Sequence, residues 1–480
     1  MVDQAKTSSI TRIPSRAVVE DIYGSPARSG KSRIEAFRDK ALPKPEAFMA
    51  EKIVRDEREY QIDVSGFAAY IKPRDVEGKI ALRAFGARTE FVINEKGDKV
   101  GGEFDEVSEP QNIGGRIAFR AKRGESAFVV DERGQRVGSR FDEVGTPRDV
   151  GGRIAFWARQ GRSCFVLDEK GQVVGGEYDV VGEPKSIKGR IAFRAGSKGR
   201  EFVVSEQGER VGGEYDKVGD PQDVGGRIAF VAIKGDRQFV VNEKGSKIGG
   251  EYDYVNSPRD IGGKIAFWAR QGTRYFVINE KGEHVGGEYD ACGDPRDING
   301  RIAFRAMKDM KWYIIHEKGD RIGEGYDSVR DPRSVDGKIT FWAMHRHRYF
   351  IINEEGRRIG GEYDIVSVPR SINGVITFKA VNRLRQFIVS EKGERLGGEY
   401  DYVSVPHDIH GKTLFWARHT GRFFVADTEG KRTRREYDEM YHLGPLAAGR
   451  AYVMARRGHF LVKETFDVYR DVTYITGVAP

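Results

Sequence analysis

The sequence predicts an all-β protein, and three observations identify the fold as a β-propeller. A Tyr-Asp or Phe-Asp pair recurs every 37 residues, ten times, from Phe104-Asp105 to Tyr437-Asp438, without insertion or deletion. Pro and Gly return in the same register, which marks turns at fixed points of each unit. Between the turns lie short runs of β-branched and aromatic residues. Tandem repeats of this kind build a ring of small sheets.

Each unit divides into four short strands, which the copy starting near residue 296 shows in order. Arg296-Asp297-Ile298 leads into Asn299-Gly300, a dipeptide typical of type I′ hairpin turns. Arg301-Ile302-Ala303-Phe304 begins the second strand, and Trp312–Ile315 lies in the third. A further Gly turn leads to the fourth strand, Arg321–Tyr326. The unit is therefore predicted to be one antiparallel sheet.

Both faces of this predicted sheet are apolar. Ile265, Phe267 and Ala269 point one way, and Ala266 and Trp268 point the other. A small sheet with two apolar faces is not stable alone, so each copy needs a like neighbour on both sides. Radial stacking gives a propeller of about ten four-stranded blades. Because propellers usually have four to eight blades, the alternatives are two consecutive propellers or an open β-solenoid.

The repeats also divide the chain. Before them, the sequence is first polar and then has helical character, which predicts a flexible, partly helical N-terminal arm. The predicted regions are the arm 1–53 and the propeller 54–480, with ten regular repeats over 69–438 and closing segments 54–68 and 439–480.

The two closing segments predict an eleventh, composite blade. Ala451–Arg456 and Phe460–Lys463 resemble the second and third strands of a further unit. We expect residues 54–70 to complete that blade with residues 450–470, which would close the ring.

Composition excludes several classes of protein. The 81 basic and 73 acidic residues leave a net charge of +8, but both signs alternate along the chain, which favours a mixed surface over a nucleic-acid patch. Cys164 and Cys292 lie in different registers and form neither a disulfide framework nor a metal motif. No apolar run is long enough for a membrane span or signal peptide, so we expect a cytoplasmic protein.

A basic residue follows the recurrent proline in seven units and is predicted to lie on the innermost strand. Cations there would surround the channel mouth and attract a phosphate-bearing or acidic ligand. The alternative is pairing across blades with nearby aspartates, namely Asp75, Asp149, Asp260 and Asp297. The seven basic residues are Arg74, Arg148, Lys185, Arg259, Arg296, Arg333 and Arg370.

The fourth residue of the second strand is mainly arginine or tryptophan. Arg-on-Trp stacking between neighbouring blades would stabilise the ring by about 1–2 kcal/mol per contact. The competing interpretation is a basic and aromatic surface for nucleic acid or glycan. The tryptophans are Trp157, Trp268, Trp342 and Trp416, and the basic residues are Arg83, Arg120, Arg194, Arg305 and Lys379.

The recurrent aspartate and the hairpin tips complete the candidates. The Asp of each Tyr-Asp pair stands beside a turn, where we interpret it as an acceptor for loop N–H groups. The tips between the second and third strands vary most, as in Met307–Lys311 and Val381–Arg385, and variable tips on rigid repeats commonly carry recognition. His345 and His347 share one face of a tip without a third ligand, so no metal site is predicted.

Single units resemble two known kinds of repeat. Lys311–Gly319 (KWYIIHEKG), followed by Tyr326-Asp327, resembles the bacterial WG-repeat (KWG) family. Pro258–Phe267 (PRDIGGKIAF) resembles the repeats of TolB-type β-propellers. The Gly that follows Trp in the WG signature is absent from every unit. The resemblance implies a β-propeller-like binding module, usually without enzymatic chemistry.

These observations predict a non-catalytic scaffold. The nine His residues are scattered, and the sequence contains no recognisable Ser/His/Asp arrangement. We therefore predict no catalytic residue, no cofactor and no metal. The predicted partner is another protein, bound through the loop faces of the ring. The alternative is a propeller that binds nucleic acid, a glycan or an acidic ligand through basic and aromatic residues.

Overall fold

The computed structural model describes residues 60–63, 69–70, 74–76, 79–446 and 449–473, with side chains from residue 81 onward. This part of the chain contains strands and turns, and no helix, in eleven antiparallel sheets. The sheets follow one another as blades 1–11 of a β-propeller, which confirms the predicted fold class. The predicted N-terminal arm, residues 1–53, lies outside the described residues.

Each of blades 1–10 has an inner strand that is broken into two segments. Both segments pair with the long second strand, and the second strand pairs with the third. The third strand pairs with the outer strand, or, in blades 6 and 10, with single bridging residues at the same place. In blade 3, Glu143–Val144 and Arg148–Val150 are the two inner segments, and both pair with Arg153–Gln160. Pro147 lies between them and has no N–H to donate, which interrupts the ladder.

The inner strands have these bounds. The first segments are Ala69–Tyr70, Glu106–Val107, Glu143–Val144, Val180–Val181, Lys217–Val218, Tyr254–Val255, Ala291–Cys292, Ser328–Val329, Ile365–Val366 and Tyr402–Val403. The second segments are Arg74–Val76, Gln111–Ile113, Arg148–Val150, Lys185–Ile187, Gln222–Val224, Arg259–Ile261, Arg296–Ile298, Arg333–Val335, Arg370–Ile372 and His407–Ile409.

The remaining strands of blades 1–10 are longer. The second strands are Lys79–Phe85, Arg116–Arg123, Arg153–Gln160, Arg190–Ser197, Arg227–Lys234, Lys264–Gln271, Arg301–Lys308, Lys338–His345, Val375–Asn382 and Lys412–His419. The third strands are Glu90–Asn94, Ser126–Val130, Ser163–Leu167, Arg200–Ser205, Arg237–Asn242, Arg274–Ile278, Lys311–His316, Arg348–Ile352, Arg385–Ser390 and Arg422–Asp427. The outer strands are Lys99–Phe104, Arg136–Phe141, Val173–Tyr178, Arg210–Tyr215, Lys247–Tyr252, Arg321–Tyr326, Arg358–Tyr363 and Arg395–Tyr400, while blades 6 and 10 have isolated bridges at this place.

The second strand of each blade joins two different ends of the ring. In blade 3 it begins at the turn Gly151-Gly152 and ends at the hairpin Gly161-Arg162. Both turn glycines have positive φ, 61° and 81°, the left-handed conformation that glycine adopts without steric cost. We call the ring end with these turns the turn face, and the end with the hairpins between second and third strands the tip face.

The hydrophobic core lies between successive sheets. Ile265, Phe267 and Ala269 of blade 6 are buried against blade 5, in one cluster with Val240. Ala266, on the other face of the same strand, is buried against Phe304 of blade 7. The predicted alternation of two buried faces is therefore confirmed.

Blade 11 is built from both parts of the chain, as predicted. Its strands are Glu439–Pro445, Arg450–Arg457 and Phe460–Asp467, and Tyr60–Asp63 is added as the outer strand by pairing with Phe460–Lys463. One face of the blade packs on blade 10 and the other on blade 1. The ring is therefore closed with eleven blades, and the two alternatives, consecutive propellers and an open solenoid, are wrong.

Candidate functional site

The ten Tyr-Asp or Phe-Asp pairs connect each blade to the next. In seven of the ten pairs the aromatic ring packs edge-on against a buried Phe of the following blade, as Tyr215 does on Phe230 with centroids 6.1 Å apart. The aspartate accepts a backbone N–H from the following tip hairpin, as Asp216 does from Gly235 at 2.7 Å. All ten make this bond: Asp105, Asp142, Asp179, Asp216, Asp253, Asp290, Asp327, Asp364, Asp401 and Asp438. The predicted structural role of this aspartate is confirmed.

Four of the seven candidate channel cations form ion pairs with the next blade. The distances are 2.5 Å from Arg148 Nε to Glu183 Oε2, 3.3 Å from Lys185 Nζ to Asp220 Oδ2 and 2.6 Å from Arg296 Nη2 to Asp331 Oδ2. Arg259 pairs with Asp294 in the same way.

The partner always occupies the same place in the repeat. It is the acid 35 positions later, immediately before the proline of the following blade. The inner segments of these successive blades are neighbours around the channel, which brings the two residues together. We call this position the junction acid.

The aspartates predicted as partners have another role. Asp149 accepts the N–H of Gly152 in its own turn at 2.7 Å and that of Gly114 in blade 2 at 3.1 Å. Asp260 and Asp297 make equivalent pairs of bonds. The predicted partners are therefore wrong, because successive side chains of a strand point to opposite faces and Asp149 points away from Arg148. The side chains of Arg74 and Asp75 lie outside the described set.

The Arg/Trp position of the second strand also contacts the junction acid. Arg305 Nε lies 2.9 Å from Asp331 Oδ1, and the indole Nε1 of Trp268 donates to Asp294 Oδ1 at 3.0 Å. This position therefore connects blades through ion pairs and hydrogen bonds, and at Lys379 through a cation–π contact, 5.1 Å from Nζ to the ring centroid of Tyr402 in the next blade. The described side chains contain no Arg-on-Trp stack between blades, since the guanidinium of Arg305 lies over Trp312 of its own blade.

The four tryptophans at this position are half-buried. Trp268 stacks on Tyr254, Trp342 meets Tyr349 edge-on, and Trp416 stacks on His407 with centroids 5.8 Å apart and an interplanar angle of 16°. Trp157 covers Gly145, where any side chain would collide with the indole. Rings engaged in this way favour the structural interpretation over an open stacking platform for bases.

Three consecutive blade junctions lack the junction acid. Val368 and Val405 occupy its place after Arg333 and Arg370, and His442 occupies it after His407. Arg333 and Arg370 are exposed, and neither forms an ion pair with any described residue. We call Arg333 and Arg370, together with His407 of the next blade, the cationic sector of the channel; near neutral pH its positive charge comes from the two arginines.

At the other described junctions, the residue after the proline and the residue 35 positions later match in charge: a cation meets an acid, or a neutral residue meets a neutral one. The neutral Gln111 and Gln222 stand at the cation position of blades 2 and 5, and the residues 35 positions later are the neutral Thr146 and Ser257. The cationic sector is thus a local departure from a rule that the other described junctions follow. Comparison of the repeats at this 35-residue offset is the sequence signal that reveals Val368, Val405 and His442.

Electrostatics are unfavourable in the cationic sector. Although much of the Arg333 side chain is exposed, partial desolvation of its guanidinium, followed by the charges of Arg330, Arg296 and Arg370, lowers its pKa. Burial, with Arg370 and His442, lowers the pKa of His407 to about 4. His407 Nε2 is buried and has no hydrogen-bond partner in the protein.

The tip face has a second local departure from the repeat. Asp309-Met310, Arg346-His347 and Arg383-Leu384 each place two non-glycine residues at positive φ, between 49° and 68°. In the other two-residue tips, from blade 2 to blade 11, glycine takes one of the two places. A left-handed conformation costs a non-glycine residue about 1 kcal/mol or more. We call these three hairpins the strained tips.

The strained tips present apolar side chains to solvent. Met310 is 87% exposed and Leu384 is 79% exposed, the two highest values among the exposed large apolar residues. The tips lie in the variable segments that the sequence indicated, but the left-handed backbone was not predicted. Unfavourable backbone combined with exposed apolar side chains is a common mark of a functional position.

The described residues also form small cavities. Two cavities have volumes of about 200 and 230 Å³, and the second is lined by Arg305, Ser328, Val329, Arg330, Asp331 and Trp342. Ligand pockets are usually about 300 Å³ or larger. Among the residues with described positions, no group of three or more His, Cys, Asp or Glu side chains could hold a metal ion. The same residues include no helix with the length and hydropathy to cross a bilayer.

No protein-family model and no curated protein matches this chain. Solved structures with some likeness include a eukaryotic initiation factor, at 11% identity and a TM-score of 0.36, covering 68% of this chain and 98% of that one. Apo AztD from Citrobacter koseri has 14% identity and a TM-score of 0.28, covering 63% and 95%. The dihydro-heme d1 dehydrogenase NirN has 12% identity and a TM-score of 0.29, covering 95% and 91%.

The assignment of the fold rests on the chain's own sheet order and blade junctions. The resemblance of its units to WG-repeat and TolB-type repeats stays a prediction.

Proposed function

We propose that this propeller is a non-catalytic scaffold that binds another protein through the strained tips. The proposal is carried by one observation: three consecutive hairpins hold six non-glycine residues at positive φ and expose Met310 and Leu384. Tips with glycine occur elsewhere in the same ring, so the repeat does not require the strained form. Binding of a partner would explain why these tips keep a backbone conformation that is unfavourable for folding.

The charges around these tips define the chemistry of the partner. Lys308, Arg346 and Arg383 are exposed at the ends of these three hairpins and outnumber the one exposed acid there, Asp309. None of the three cations forms an ion pair with a described residue. Lys311, Arg348 and Arg385, by contrast, pair with the Tyr-Asp aspartates. Exposed cations around apolar anchors suit an acidic protein segment that carries apolar side chains.

The unit-level resemblance to WG-repeat and TolB-type propellers supports a binding module over an enzyme. The surplus of basic residues is spread over the chain, which supports a protein partner over a nucleic acid. We place this interaction in the cytoplasm, as the composition of the chain suggests.

The test compares capture of partners from a native lysate by three forms of the full chain. The first is the wild type, the second is Met310→Ser with Leu384→Ser, and the third is Glu125→Ser with Thr273→Ser. Glu125 and Thr273 occupy the same hairpin place in blades 2 and 6 but lack positive φ. Each capture is repeated after nuclease treatment, and binding of the identified acidic segment is then measured with purified components.

We expect a nuclease-resistant protein that the wild type and the Glu125/Thr273 variant bind equally. The Met310/Leu384 variant should bind its segment at least about tenfold more weakly, as expected for the loss of two apolar anchors. Equal binding by all three forms would contradict the proposal. Capture of nucleic acid alone, released at moderate salt, would instead favour a nucleic-acid-binding propeller.

A further inference from the structure

We propose that the cationic sector of the channel, formed by Arg333, Arg370 and His407, binds a phosphate-bearing anion. This site is separate from the strained tips: its residues lie on inner segments next to the turn face, and the tips lie at the other end of the blades. Either proposal can therefore fail without the other.

The fold does not require a cation at these positions. Blades 2 and 5 form the same inner segment with Gln111 and Gln222. Where a described cation occupies the position elsewhere, a junction acid neutralises it, as Asp331 does for Arg296 at 2.6 Å. Arg333 and Arg370 have valine in place of that acid, so their positive charges remain available to a ligand.

The three residues each begin the second inner segment of their blade, and the blades are successive: Arg333 in blade 8, Arg370 in blade 9 and His407 in blade 10. Arg333 and Arg370 are close enough to influence each other, as are Arg370 and His407. The acid whose charge acts on Arg333 is Asp331, which already binds Arg296 and Arg305. An anion bound to these residues would relieve the repulsion that the bare protein retains.

His407 adds a hydrogen-bonding group to the site. Its ring is fixed by stacking on Trp416, and Nε2 is buried without a partner. A buried polar atom that lacks a hydrogen bond is destabilising, and a ligand that supplies the missing bond gains affinity from it. A phosphate can serve here because its oxygens accept hydrogen bonds and, when protonated, also donate them.

Phosphate fits this site better than a single carboxylate. Guanidinium groups bind phosphate oxygens through two parallel hydrogen bonds, and two such groups are present. A carboxylate carries one negative charge, whereas a phosphate monoester carries about 1.5 to 2 near neutral pH, which matches two arginines. The shared chemistry covers a free polyphosphate and the phosphates of a nucleic-acid strand.

The experiment measures binding of sodium tripolyphosphate to the full chain by titration calorimetry at low ionic strength. The test variant is Arg333→Gln with Arg370→Gln. The matched control is Arg148→Gln with Lys185→Gln, which removes the same charge from the same register where junction acids are present. A third form, Val368→Asp with Val405→Asp, keeps both arginines and restores the junction acids.

We expect the test variant and the acid-restored form to bind at least about tenfold more weakly than the wild type, and the control to bind within about twofold of it. An unlabelled oligothymidylate competitor distinguishes the sources: displacement of tripolyphosphate identifies a strand phosphate as a ligand, and no displacement identifies a compact free anion. Absence of wild-type binding at millimolar tripolyphosphate would overturn the proposal. Equal weakening of the test variant and the control would overturn it too.

Discussion

Arg296 Nη2 lies 2.6 Å from Asp331 Oδ2 across the junction between blades 7 and 8. The equivalent cation of the next blade, Arg333, has Val368 at the corresponding place. The same local geometry thus occurs with and without its acid in one molecule, which provides an internal comparison. The contribution of a junction acid to the free energy of unfolding can be measured by removing the acid from one junction and adding it to the other.

Adding the acid should stabilise the ring. We expect Val368→Asp to raise the free energy of unfolding by up to about 1 kcal/mol, because it supplies Arg333 with a partly exposed ion pair. The new carboxylate should also oppose the lowering of the pKa of Arg333, which desolvation and then the charges of Arg330, Arg296 and Arg370 cause. Equilibrium urea unfolding would measure the change. Val180→Asp is the control, since Val180 is 42% exposed and not a junction position; an equal effect of both substitutions would contradict the interpretation.

Removing the acid should have the opposite effect. Asp331→Asn leaves Arg296 and Arg305 without their shared carboxylate, and we expect a loss of about 1 kcal/mol of unfolding free energy. The loss should shrink as salt is raised, because both pairs are partly exposed to solvent. Asp320→Asn is the matched control, since Asp320 is largely exposed and, among the described residues, pairs only with His316. Unfolding curves at low and high ionic strength that coincide for Asp331→Asn and the wild type would refute the expectation.

Much of the architecture could be read from the sequence because the repeat is free of insertions. The period, the turn residues and the two apolar faces predicted stacked four-stranded blades, and the imitation of a blade by residues 451–463 predicted the composite closure. The number of blades could not be derived in the same way, because it depends on the angle between adjacent sheets. That angle is set by side-chain packing, as of Tyr215 on Phe230, which repeats alone do not define.

The candidate site was predicted less completely. Position in the repeat identified Arg333 and Arg370 as channel cations. It did not show that the junction acids that would pair with them are absent. The prediction paired cations with Asp149 and its equivalents because they are adjacent in sequence, whereas adjacent strand residues point to opposite faces. The true partner lies 35 residues away, on the next blade, and its identity follows only from how neighbouring blades are aligned.

Glycine at a strained tip should stabilise the fold. We expect Met310→Gly to raise the unfolding free energy by about 0.5–1 kcal/mol, because glycine adopts φ near 61° without the clash that a Cβ causes. The gain is reduced by the greater freedom of glycine in the unfolded chain.

Thermal unfolding and partner binding are measured on the same samples. Thr273→Gly is the control: Thr273 takes the same place in the hairpin of blade 6 but has no positive φ, so it should lose a few tenths of a kcal/mol. Destabilisation of Met310→Gly as large as that of Thr273→Gly would show that the tip is not strained.

The lowered pKa of His407 predicts a dependence of stability on pH. In the unfolded chain the imidazole takes up a proton as pH falls through its ordinary value of about 6.5. In the folded chain, burial and the charges of Arg370 and His442 delay this uptake until about pH 4. Between these two values the unfolded state binds more protons, so the contribution of His407 is fully favourable above about pH 6.5 and is lost as pH falls toward 4.

Replacing His407 should therefore remove part of the acid sensitivity. Between pH 7.5 and pH 5, we expect the wild type to lose about 1–2 kcal/mol more unfolding free energy than His407→Gln. The measurement is urea unfolding at several pH values in buffers without phosphate, which could occupy the cationic sector. His459→Gln, at an exposed tip residue of blade 11, is the control and should follow the wild type because it leaves His407 in place. If His407→Gln and the wild type lose stability in parallel, His407 is not held neutral by its burial and by Arg370.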